Sequence, residues 1–198
     1  ADYFAAWNGA NWSTLGEPNG LFKWGINAMA VIGTDVYVGG DFTDAGGDPR
    51  IDYIARWDGS KWNPVGNLTQ TYGSLTGNVL ALAVDGTDLY IGGVFAFAYN
   101  EGNPVANSNC ILKWDGSNFS AMGSGLNNTV YALAVDASHN LYVGGLFTDA
   151  GSIPEADYIA KWNGSAWSAL AGNGSGSGAV NGLVRTLAVS GTDLYVGG

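Results

Sequence analysis

The chain is poor in the residues that usually carry catalysis or bind metals, with one cysteine, one histidine, three glutamates and four lysines among 198 residues. The single cysteine, Cys110, excludes an internal disulfide and a cysteine-based zinc cluster, and a buried inert thiol is its expected state. His139 stands in the turn A-S-H-N with no second histidine to join it, so it reads as a solvated turn residue, neither general base nor metal ligand. Seven basic residues against seventeen acidic ones leave a net charge of −10, which repels the phosphate backbone of a nucleic acid. No run of 18 apolar residues is present, so membrane insertion through a helix is not expected, and nothing reads as a signal peptide.

Glycine and aromatic residues are abundant: 32 glycines, 13% aromatic and 46% hydrophobic residues, enough to bury a core. Scarce helix formers and many glycines argue for short strands joined by tight turns, an all-β chain. One phrase makes the organisation visible: VYVGG ends at Gly40, LYIGG at Gly93, LYVGG at Gly145 and LYVGG again at Gly198, at intervals of 53, 52 and 53 residues.

Around that phrase four segments recur in fixed order, each short, apolar and bounded by Gly, Asn or Asp. The first reads INAMAV from Ile26, VLALAV from Val79, VYALAV from Val130 and VRTLAV from Val184. The repeated phrase is the second, preceded by hairpin chemistry, G-T-D in three copies. The third runs DYFAAW from Asp2, DYIARW from Asp52, NCILKW from Asn109 and DYIAKW from Asp157. After an N-G or D-G turn, the fourth opens with Trp12, Trp62, Phe119 or Trp167.

Each unit therefore predicts a four-stranded antiparallel meander of about 50 residues, which cannot bury both faces alone and must stack on its neighbours, as in a β-propeller. Trp7, Trp57, Trp114 and Trp162 are expected between the sheets, with ligand stacking as their other possible use. The stretch Gly39-Gly40-Asp41-Phe42-Thr43-Asp44-Ala45-Gly46-Gly47, largely repeated over Gly144 to Gly151, resembles the repeats of secreted bacterial and cell-surface propeller proteins, including the cortical markers of cell polarity. With Trp57 and Trp62 following, it also resembles the kelch repeat. The resemblance covers the whole chain and implies the propeller fold; propellers serve many functions, so it implies little about activity.

Counted in order, the segments give sixteen strands, or four blades, one of them split between the two ends of the chain. Residues 1–198 then form a single propeller domain, or half of an eight-bladed propeller made by two chains, or part of a longer one. The split blade is completed if Leu194 to Gly198 pairs with Asp2 to Trp7, of the same chain or of another, which makes a homo-oligomer one expected partner.

Turns from first to second and from third to fourth strand are tight and nearly constant. The opposite face carries the long, variable loops, where function is expected. Trp24, Tyr72 and Tyr99 are its exposed aromatic candidates, for stacking on a sugar or anchoring a protein, while Trp24 has the alternative of plugging the end of the stack. A second set lies inside the first strand, where one position varies among constant neighbours: Asn27, Leu80, Tyr131 and Arg185. A polar ligand at the mouth of a central channel, with Arg185 pairing a carboxylate, is one reading; a merely solvated position is the other.

Asp44 and Asp149 occupy matching loop positions, but no D-x-D-x-D loop supplies the ligands a calcium ion needs, so no metal or cofactor is expected. The run Asp58 to Trp62 lacks the residue that separates Asp from Gly in the Asp-box of sialidases. No paired acid and base, G-x-S-x-G elbow or phosphate loop appears, and Gly174 to Gly178 reads as a flexible loop. The sequence thus points to a non-catalytic, secreted or cell-surface module binding a glycan or protein, with a self-assembling structural unit second and a domain of a glycan-acting enzyme third. Six N-x-S/T acceptors, at Asn11, Asn67, Asn118, Asn127, Asn163 and Asn173, fit a secreted setting.

Overall fold

A computed structural model describes residues 5–16, 22–66, 68–171 and 178–198. Asp2 to Phe4, Asn67, Asn173 and most of the Gly174 to Gly178 stretch lie outside the described residues. The fold is all-β. A two-stranded sheet of β1 (Ala6–Trp7) and β2 (Trp12–Ser13) comes first, followed by a four-stranded sheet of β3 (Ile26–Ile32), β4 (Asp35–Gly40), β5 (Ile54–Trp57) and β6 (Trp62–Asn63). The second full sheet contains β7 (Val79–Asp85) and β8 (Asp88–Gly93). Its chain then makes a separate hairpin, β9 (Ala98–Asn100) and β10 (Asn103–Val105), before returning as β11 (Ile111–Trp114) and β12 (Phe119–Ala121). The third contains β13 (Val130–Val135), β14 (Leu141–Gly145), β15 (Ile159–Trp162) and β16 (Trp167–Ser168), and β17 (Thr186–Ser190) with β18 (Asp193–Gly197) forms a last two-stranded sheet.

Every full sheet is an antiparallel meander in chain order, as the four-segment pattern predicts. The hairpin β9–β10 is additional to the sixteen predicted strands. Its turn residues Glu101 and Gly102 both have positive φ, 48° and 81°, the backbone that a two-residue hairpin requires. A glutamate at such a turn is an uncommon choice, which hides the hairpin from inspection of the sequence.

The double glycine has two separate jobs. A Cβ on the first glycine would stand 2.3 Å from Val79 Cγ1 at Gly39, 2.4 Å from Val130 Cγ1 at Gly92 and 2.4 Å from Val184 Cγ1 at Gly144. Each of these glycines is therefore the seat into which the next unit's first strand presses its valine. On the second glycine a Cβ would meet a backbone carbonyl of the same unit, 2.1 Å away at Gly40, Gly93 and Gly145.

The following phenylalanine is locked by a short relay. Gly40 N–H donates to Tyr53 O (2.9 Å) and Tyr53 N–H to Phe42 O (2.8 Å), while Gly93, Cys110 and Phe95, then Gly145, Tyr158 and Phe147, repeat both bonds. The residue in the middle takes a left-handed backbone each time, with φ of 62°, 62° and 60° at Tyr53, Cys110 and Tyr158. All three phenylalanines are buried as a result.

The core forms three clusters arranged along the chain, and first strands of successive sheets touch one another: β3 with β7, β7 with β13, and β13 with β17. Trp114 and Trp162 are buried, as packing tryptophans should be; Trp7 and Trp12 stay largely exposed. Among the described residues β1 pairs with β2 and β18 with β17.

On the tight-turn face the third unit reaches back to the second. His139, although exposed, places Nδ1 2.5 Å from Asp85 Oδ1, so it is a link between turns and not merely a solvated residue. The hydrogen bond that the Asp85 carboxylate accepts from the ring, helped by the carboxylate's charge, raises the imidazole pKa. The contact therefore contributes fully below the ordinary imidazole range and is lost as pH rises through the elevated value. An NMR titration should place the His139 midpoint above that of a free histidine, and Asp85→Asn should bring it down; no change on that substitution would refute the link.

Candidate functional site

The long-loop face is built where the first strands begin and the second strands end. At that end β3, β7 and β13 each carry a bulge, between Ile26 and Ala28, Val79 and Ala81, and Val130 and Ala132. The extra residues are Asn27, Leu80 and Tyr131, three of the four variable positions. A bulge adds one unpaired residue and re-aims its side chain, which explains why this position alone varies among neighbours held by packing. Arg185, the fourth, immediately precedes β17 and donates its N–H to Gly197 O at 2.8 Å.

Two of these residues meet. The Arg185 guanidinium carbon lies 5.8 Å from the centre of the Tyr131 ring, a cation–π contact worth about 0.5–1 kcal/mol at an exposed site. Asn27 is used differently: its side-chain amide donates to Val79 O at 3.1 Å and ties the first full sheet to the second.

Tyr72 and Tyr99 also come together, edge to face with ring centres 6.1 Å apart. The Glu101 carboxylate fixes the loop beside them by accepting the Leu68 and Thr69 N–H groups and the Thr69 hydroxyl. Those bonds hold the Glu101 carboxyl below its ordinary pKa, the Thr69 hydroxyl being the main cause. Trp24 is 58% exposed.

A polar cleft of about 450 Å³ escapes sequence reasoning altogether. It lies between the loop after β12 and the F-T-D-A-G loop after β14, lined by Asn109, Ser124, Asn127, Thr148, Asp149 and Ser152 among others. Asn127 spans its two walls, accepting the Thr148 N–H and donating to the Thr148 hydroxyl, both at 3.0 Å. Asp149 is held from behind, its N–H bonded to Asp157 Oδ1 at 2.9 Å, and Asp44 repeats this bond with Asp52 at 2.8 Å. These matching aspartates are thus positioned by loop geometry. A neighbouring cleft of about 380 Å³ shares Asn109, Leu126 and Asn127 and continues to Phe95 and Cys110.

The lining offers amides, hydroxyls and one carboxylate, groups suited to hydrogen-bonding a polyhydroxylated ligand. Cys110 adds no nucleophile: half-buried, it keeps its proton because burial raises the thiol pKa, and Sγ points 3.8 Å from Phe95 O. Among the described residues no group of three or more His, Cys, Asp or Glu side chains is placed to hold a metal ion. Compared with protein-family models and with curated proteins, the chain matches none.

Proposed function

We propose that the chain is a non-catalytic binding module: its sheets are the blades of a kelch-like β-propeller, secreted or displayed at a cell surface, and its long-loop face recognises a glycan. The observation that carries this reading is the polar cleft spanned by Asn127, continuous with a second cleft and sharing its face with the Tyr131–Arg185 pair. Glycan sites combine hydroxyl-directed hydrogen bonds with a flat ring for stacking, and these residues provide both. A protein partner is the second occupant this face would suit, with Trp24 and Tyr72 as its exposed anchors.

A glycan array probed with the wild-type chain and with Asn127→Ala, Tyr131→Ala and Trp24→Ala tests the assignment. Binding should weaken at least about tenfold on losing Asn127, the equivalent of about 1.4 kcal/mol, with smaller losses for the two aromatics. Absence of glycan binding, or binding indifferent to Asn127 and Tyr131, would remove the glycan reading.

A further inference from the structure

We infer, building on the glycan reading, that the ligand of the long-loop face is an uncharged glycan carrying an acetamido group, with hydroxyls in the polar cleft and the acetyl methyl in the cleft beside it. One loop of the repeat is rewritten in apolar residues, and the segment it packs against is shared with a copy that keeps the polar ones.

The loop that follows each double glycine is built around a phenylalanine. Asp41, Thr43 and Asp44 surround Phe42 in the first unit, and Leu146, Thr148 and Asp149 surround Phe147 in the third. In the second unit Val94, Ala96 and Phe97 take those places around Phe95. A threonine and an aspartate present in the other two loops are here an alanine and a phenylalanine.

These apolar residues are not all drawn into the core. Phe95 is buried, whereas Val94 is 49% exposed and Phe97 54%. The loop is nonetheless fixed, because the Thr76 hydroxyl oxygen accepts the Ala96 N–H at 3.1 Å and the Phe97 N–H at 2.9 Å. A held loop that keeps neighbouring apolar side chains in water is arranged for contact with something outside the chain.

Residues 124–129 lie against both kinds of loop. With Thr148, Asp149 and Ser152 they line the polar cleft of about 450 Å³; with Val94, Phe95 and Ala96 they line the second, of about 380 Å³. Both volumes fall within the range of small-molecule sites, about 300–1,000 Å³. Phe95 and Leu126, 4% and 2% exposed, are the buried apolar part of the second cleft.

Two asparagine amides stand where the clefts join. Asn109 Nδ2 donates to Leu126 O, and the Leu126 N–H donates to Asn109 O at 3.0 Å, so the wall between the clefts is locked. Asn127 spends one amide hydrogen and one oxygen lone pair on Thr148, which leaves one of each. An acetamido group has the complementary set: a carbonyl that accepts, an N–H that donates, and a methyl for the apolar side. A 6-deoxy sugar also offers a methyl but has no amide to meet Asn127.

Charge narrows the class further. Asp149 is in the lining, and among the described residues neither lysine nor arginine lines either cleft. A sialic or uronic acid would bring its carboxylate toward Asp149 with no cation to offset the repulsion. The net charge of −10 acts in the same direction.

A glycan array followed by calorimetry on matched pairs tests the class. The glycans bound most tightly should be neutral and contain N-acetylglucosamine or N-acetylgalactosamine. Each should bind at least about tenfold more tightly than its counterpart with a hydroxyl in place of the acetamido group. Val94→Asp combined with Ala96→Thr restores the first unit's residues at these positions, so the fold has a precedent for both, and the affinity ratio should fall toward one. Unchanged near-ultraviolet circular dichroism establishes that the double variant folds, and the wild-type ratio stands without it. Tightest binding of glycans that lack an acetamido group, equal affinity within the matched pairs, stronger binding of sialylated glycans than of their neutral forms, or a ratio that survives the double substitution would overturn the inference and leave the glycan reading in place. Absence of any glycan binding would remove both.

Discussion

Replacing Gly93 with alanine should lower stability by about 3 kcal/mol, the upper part of the range for overpacking a filled interior. The added Cβ would lie 2.1 Å from Asn78 O and 3.0 Å from Val79 Cα. Both are backbone atoms, so no rotamer change relieves the contact, and the strands β7 and β8 must separate where Val79 enters its seat against Gly39. In a chain of this size that loss corresponds to roughly 6–12 °C in melting temperature. Gly86→Ala supplies the contrast. Gly86 has φ +61° and nothing within 4 Å of an added Cβ, so only the left-handed backbone is strained, at about 1 kcal/mol. Thermal unfolding of the two variants side by side checks the ranking; equal losses would show that close approach at the second glycine is not what the phrase protects.

Phe147→Ala should cost about 3–5 kcal/mol and damage the polar cleft as well. Phe147 is fully buried against the third-sheet cluster with Ala150 and Ala156, and its backbone closes the relay from Gly145 through Tyr158. Thr148 and Asp149, which follow it directly, form one wall of the cleft. Loss of the ring leaves a cavity under that wall, and the Asn127–Thr148 bonds lose their fixed end. Urea unfolding should record the stability loss, and amide exchange at Thr148 should quicken by more than at Asp136, on the opposite face. Equal acceleration at both amides would mean that Phe147 supports the sheet in general and not this loop.

The frame was legible because its constraints are local and repeated. Each seat needs a glycine and each seat needs a valine to fill it, so Gly39 with Val79, Gly92 with Val130 and Gly144 with Val184 recur at the period of the chain. The bulge was half legible: variation at Asn27, Leu80, Tyr131 and Arg185 marked the position, but extra residues in a ladder cannot be counted without knowing the register of the opposing strand. The cleft was not legible. Asn127 and Thr148 are twenty-one residues apart on different loops, and no periodicity places one loop against the other. The hairpin β9–β10 was hidden by Glu101 in a turn where asparagine or glycine is usual.

Chemical-shift mapping with a glycan selected on the array reads the contact of the long-loop face directly. Shifts concentrated at the amides of Asn127, Thr148 and Asp149, which line the polar cleft, are the predicted result. Shifts confined to the tight-turn face around His139, or none at saturating glycan, would contradict it.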